Sequence, residues 1–101
     1  MAAASIHFEK GSPSSKERRK EAGRWLKEMR QRAGLSQLDL AQKLGLKYYT
    51  FISQVENGFG RVPSDSMEAW AVALGLAPAD FVRHLLSYYD PDLYRLLFGD
   101  V

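Results

Sequence analysis

Residues 35–58, LSQLDLAQKLGLKYYTFISQVENG, hold two short apolar-periodic stretches that meet at one glycine, and this spacing accommodates little besides two helices joined by a tight turn. Ser36 is placed to accept a hydrogen bond as N-cap, and Asp39 three residues on can reach back to complete a capping box. Leu35 faces Leu40 as a hydrophobic staple, so the first helix is expected to start at about Gln37. Leu40, Ala41 and Leu44 continue its apolar stripe, and Gly45 offers the left-handed conformation that ends a helix. The small Ala41 leaves room for another helix to cross close by.

The second stretch, 47–57, is sorted as sharply. At roughly 100° per residue, Tyr48, Phe51, Ile52 and Val55 fall on one side and Thr50, Ser53, Gln54 and Asn57 on the other. A merely solvated face favours Lys and Glu. This one shows hydroxyls and amides, which donate and accept to base edges, with Lys47 and Tyr49 near its start and Gly58 closing it. The layout of 37–57 is that of a helix-turn-helix, whose second helix is expected to enter a DNA major groove.

Gln37, Ala41 and Gly45 at spacings of four, I-S-Q-V-E-N-G from Ile52 to Gly58, then Pro63 and a W-A-x-A-L-G helix end from Trp70 to Gly75 together resemble the lambda-repressor/Cro class of helix-turn-helix domains, the XRE family. The resemblance covers roughly 22–86. It implies an all-α, compact five-helix DNA-binding domain of a transcriptional regulator, most often a repressor, cytoplasmic and bacterial or phage-encoded. It also implies an ion pair between Arg30 and Glu56, a phosphate contact for Gln37, and a loop around Arg61 that lies along the DNA backbone. One departure stands out: Gly45 precedes Ile52 by seven residues, where the family has six. The added residue either lengthens the turn or starts the second helix earlier.

A chain of 101 residues is expected to form one domain. It contains no cysteine, so neither a disulfide framework nor a thiolate metal site is available. No apolar run approaches the ~18 residues of a membrane span, and MAAASIHFEKG lacks the apolar core of an export signal, so no membrane association is expected. Nine of the fourteen Lys and Arg precede Leu35, whereas 62–101 carries Arg83 and Arg95 against Asp65, Glu68, Asp80, Asp90, Asp92 and Asp100. A basic end beside the motif suits a polyanion. Such runs are more often plain solvated faces; here the neighbouring motif favours DNA.

Along the chain, 1–15 reads as a flexible arm, with Ile6 and Phe8 as a lesser strand-like hook. A first helix is expected over 16–33, its stripe of Ala22, Trp25, Leu26, Met29 and Ala33 being core rather than a cofactor box. A helix should begin near Ser64 or Asp65, with Asp65 and Glu68 as a second capping box and Met67, Trp70, Ala71 and Leu74 facing inward. Another follows from Pro78 through Leu86, and Asp90 with Pro91 predicts a sixth short helix in a C-terminal extension, 90–98. Tyr88, Tyr89, Leu93, Leu96, Leu97 and Phe98 are too apolar for the surface of a small monomer: either they fold back onto the first and fifth helices or they form a homodimer interface, the favoured reading for a two-fold-symmetric operator.

The expected base readers are Gln54, whose amide matches adenine N6 and N7, with Thr50, Ser53 and Tyr49 beside it. Expected backbone contacts are Gln37, Lys47, Asn57, Arg61, Arg18 and Arg19. No catalytic set, metal site or cofactor is expected; His7 and His84 lie far apart. The competing reading is a protein-binding module, antitoxin-like or an antiactivator, that seizes a protein partner through its tyrosines or apolar tail.

Overall fold

The computed structural model describes residues 13–99. In chain order these form α1 (Ser15–Arg32), α2 (Gln37–Lys43), α3 (Thr50–Glu56), a 3-10 turn (Ser64–Ser66), α4 (Met67–Leu74), α5 (Pro78–Tyr89) and α6 (Pro91–Phe98), with no strand among the described residues. The arm expected over 1–15 lies outside them up to residue 12, as do Ile6, His7 and Phe8, but Ser15 is already helical. The reason is a capping box: the Ser14 hydroxyl accepts from the Glu17 N–H at 3.1 Å and the Glu17 carboxylate accepts from the Ser14 N–H at 2.9 Å.

α2 opens the same way, with Asp39 N–H donating to Ser36 Oγ and Ser36 N–H donating to Asp39 Oδ2, both at 2.9 Å. The Ser36 backbone N–H first, and its hydroxyl second, hold the Asp39 carboxyl below its ordinary range. α1, α2 and α4 all end in one device. The N–H of Leu35, Leu46 or Leu76 reaches back to the carbonyl of Arg30, Ala41 or Ala71, across a glycine in the left-handed region, and the leucine half-buries against the core.

The entry to α4 corrects the sequence reading. A 3-10 turn intervenes before Met67, and Ser66 is the N-cap of α4, without a side-chain capping bond. Asp65 and Glu68 therefore straddle two kinds of helix, and the expected second capping box does not form.

One core ties these elements together, with Trp70, Phe81, Leu26, Leu40, Ile52, Leu85, Val55 and Val62 its largest fully buried side chains. α1 packs on both α5 and α3, and α4 packs on α5. α6 follows α5 after a single residue, Asp90, whose carboxylate accepts from the Leu93 N–H at 3.2 Å. α6 rests on α5, where the Arg83 guanidinium sits 5.0 Å from the Phe98 ring centroid, and none of its residues is buried. Leu93, Leu96, Leu97 and Phe98 remain exposed.

Tyr89, expected at a dimer interface, is instead part of the core. Its hydroxyl accepts from the buried Val62 N–H at 3.2 Å, the Arg61 guanidinium lies 4.4 Å from its ring centroid, and burial pushes its phenol up. Tyr88 is half-buried, 3.3 Å through its hydroxyl from His84 Nε2, and the His84 ring stacks on Trp25 with centroids 4.0 Å apart. His84 is thus a packing residue, and burial lowers its pKa.

Candidate functional site

α3 lies at the surface with two glycines against its C-terminal end. A Cβ on Gly23 of α1 would meet the backbone of Val55 and Glu56, and a Cβ on Gly58 would meet the Lys20 backbone at 2.9 Å. The helix and α1 therefore cross at backbone contact. Gly58 also needs its φ of +82°, a second reason for glycine there.

The same end carries a buried charge cluster. Arg30 donates from Nε to Glu56 Oε2 at 2.6 Å and from Nη2 to Oε1 at 3.0 Å, and its Nη1 donates to the Leu35 carbonyl at 2.8 Å. Gln37 adds a third donor to the carboxylate, Nε2 to Oε1 at 3.0 Å. Glu56 thus fastens α3 to α1 and to the first residue of α2. Such a bidentate pair holds position strongly, while its net contribution to stability is reduced by desolvation of both ions.

From this mount α3 buries Ile52, Val55 and Glu56 and exposes Thr50, Gln54 and Asn57, with Ser53 half-buried beside them. Asn57 Nδ2 is 3.4 Å from Ser53 Oγ. The polar strip is therefore continuous and outward.

The N-terminal end differs from the sequence expectation. The helix starts at Thr50 rather than at residue 47, so the added residue lengthens the turn. Tyr49 is the N-cap and makes no side-chain capping bond. Lys47, Tyr48 and Tyr49 are consequently turn residues, and Tyr48, placed on the core side by helical phasing, is exposed because the phase does not begin until Thr50.

The loop after α3 turns back on the helix end. The N–H groups of Phe59 and Gly60 both donate to the Gln54 carbonyl, at 2.9 and 3.3 Å, and that of Gly58 to the Val55 carbonyl at 3.2 Å. These amides are engaged within the fold, which leaves Arg61, exposed although its guanidinium rests over the Tyr89 ring, as the loop's cation. Phe59 stands 75% exposed beside it.

Among the basic residues of α1, Arg18 is turned the other way. Its Nε donates to the Tyr88 carbonyl at 3.0 Å and its Nη1 to the Pro13 carbonyl at 2.8 Å, which joins α1 to the end of α5. Arg19 is half-buried, with Nη1 3.4 Å from Ser15 Oγ. Lys20 is the one brought against Gly58 at the end of α3, its offset of three from Gly23 placing both on the α1 face that meets α3.

Among the described residues there is no group of three or more His, Asp or Glu arranged to hold a metal ion, and no helix is long and apolar enough to cross a membrane. The family model described as a helix-turn-helix domain matches residues 21–85, which spans α1 from Glu21 through most of α5. No curated protein matches the chain.

Proposed function

Because the chain belongs to the helix-turn-helix domain family, we propose that it is a sequence-specific, double-stranded-DNA-binding transcriptional regulator of the XRE type, acting as a cytoplasmic repressor. The observation that carries this reading is the outward strip of Thr50, Ser53, Gln54 and Asn57 on a helix whose other side is locked to α1 by Arg30 and Glu56. α3 lies in the major groove, where Gln54 reads adenine and Thr50, Ser53 and Tyr49 read its neighbours. Lys47, Asn57 and Arg61 contact phosphates, together with the free face of the Gln37 amide. Arg18 and Arg19 are weaker phosphate candidates than the sequence suggests, since Arg18 is held by two backbone carbonyls and Arg19 is half-buried. Two copies associate through Leu93, Leu96 and Leu97 of α6, whose exposure supports a homodimer on a two-fold-symmetric site.

A second reading has its own support. Tyr48, Phe59, Leu96 and Leu97 are all more than half exposed, and such residues suit a protein partner of the antitoxin or antiactivator kind. Neither reading assigns a catalytic role or a cofactor.

Selection of duplexes from a random pool at physiological salt separates the two. An enriched two-fold-symmetric motif supports the DNA reading, and a pool that stays random after repeated rounds overturns it. On the selected site Gln54→Ala should cost ~1 to 3 kcal/mol with little change on random DNA, whereas Arg61→Ala should weaken both and flatten the salt slope by about one unit.

A further inference from the structure

Tyr48 stands in the turn ahead of α3 with 67% of its surface exposed. With Leu46, Lys47, Thr50, Phe51 and Gln54 it lines a shallow open hollow at the N-terminal end of the helix. Leu46 and Phe51 are half-buried and pack on the core, which fixes the floor. The Tyr48 ring forms the rim, with Lys47 Nζ 5.8 Å from its centroid. Thr50 and Gln54 belong at once to this hollow and to the outward polar strip. A row of hydroxyls and amides therefore runs into an apolar wall.

The major groove offers a matching discontinuity. Its base edges present hydrogen-bond donors and acceptors, and the one apolar feature among them is the 5-methyl group of thymine. Resting on the DNA-binding reading above, we propose that this hollow seats the 5-methyl group of a thymine beside the base pair contacted by Gln54, with Tyr48 as its specificity-determining residue. Phe51 and Leu46, both half-buried, supply the floor. The lengthened turn is what carries Tyr48 clear of the core, so this contact lies outside the recognition helix and extends the reading frame beyond its first residue.

The test uses the full chain and the selected duplex, with each thymine of a half-site replaced in turn by deoxyuridine, which removes only the methyl group. One replacement should weaken wild-type binding about fourfold, the effect of a single buried methyl-sized group. Tyr48→Ala should bind the thymine and deoxyuridine duplexes within experimental error of each other, while Tyr48→Phe, which keeps the ring, should retain the fourfold difference. Because Tyr48 is exposed in a turn, both variants should melt with the wild type. An equal deoxyuridine penalty in wild type and Tyr48→Ala overturns the proposal, as does a duplex on which no single replacement matters. Either result leaves sequence-specific binding standing, whereas failure to select any duplex removes the DNA reading and this inference with it.

Discussion

Gly23→Ala sets helix propensity directly against the helix crossing. In an isolated helix the change stabilises by ~1 kcal/mol, because glycine gives up more backbone freedom on folding. Here the new Cβ would lie 2.6 Å from the Glu56 carbonyl carbon and 2.7 Å from the Val55 oxygen, and closer still to the Glu56 oxygen, where ordinary contact begins at 3.4 Å. All three atoms are backbone, so no side chain can swing aside. α1 and α3 must separate by the better part of an ångström, at a strain of ~1 to 3 kcal/mol for overpacking alone. The Arg30 and Glu56 contacts, 2.6 and 3.0 Å in the same crossing, must stretch with it. Disrupting such a pair outright costs ~3 to 5 kcal/mol, so even partial loss overwhelms the propensity gain. A net destabilisation of at least ~2 kcal/mol is expected, a Tm lowered by ~8 to 16 °C for a domain of this size. Thermal melts followed by circular dichroism, with urea unfolding at fixed temperature, measure it, and Lys27→Ala on the exposed face of α1 should stay within ~0.5 kcal/mol as control. A Tm equal to or above that of the wild type would refute the reasoning, since it would mean that the two helices have room to spare.

Glu56→Ala strands the Arg30 guanidinium and should cost ~3 to 5 kcal/mol in urea unfolding, more than it costs in affinity measured where the variant is still folded; an unchanged melt with collapsed DNA binding would contradict a structural role. Tyr89→Phe keeps the ring but leaves the buried Val62 N–H without its acceptor, so a loss of ~1 to 3 kcal/mol is expected by urea titration, and none at all would show that the hydroxyl is idle. For His84, burial lowers the folded pKa below the model-peptide value of 6.5. The unfolded chain then binds the proton first, so this group's contribution is complete above pH 6.5 and declines as pH falls from there towards the folded pKa. Melts across that interval should show the wild type losing stability relative to His84→Gln, with parallel curves counting against the assignment.

Much of the fold was legible because its signals are local. Ser36 with Asp39, and Asp90 with Pro91, announce helix starts through side-chain chemistry that acts over three residues, and both form as expected. Ser14 with Glu17 carries the same signature, masked by the Ala-, Ser- and Gly-rich composition of the residues before it, and starts the first helix one residue ahead of the expected position. Asp65 and Glu68 have the right spacing but the wrong backbone, which local pattern cannot reveal. The Arg30 and Glu56 pair came from family resemblance, since nothing in its spacing of 26 residues brings two charges together. Gly23 was readable in principle as a glycine inside a helical stripe, a mark of close approach. Tyr48 and Tyr89 were misplaced for one shared reason. Their positions depend on where a neighbouring element begins or what lies above it in space, and periodicity extrapolates blindly across both.

α3 is only seven residues long, too short to hold a helical shape without support. Its attachments crowd towards Glu56, Gly58 and the Gly23 crossing, whereas its opening residue has no cap and follows a lengthened turn. Ile52, wholly buried, and Phe51, packed on the core, seat its first turn as well. On the reading proposed above, the exposed turn residues Tyr48 and Tyr49 lie outside these attachments, so changes there should alter which duplexes are preferred while leaving the fold intact.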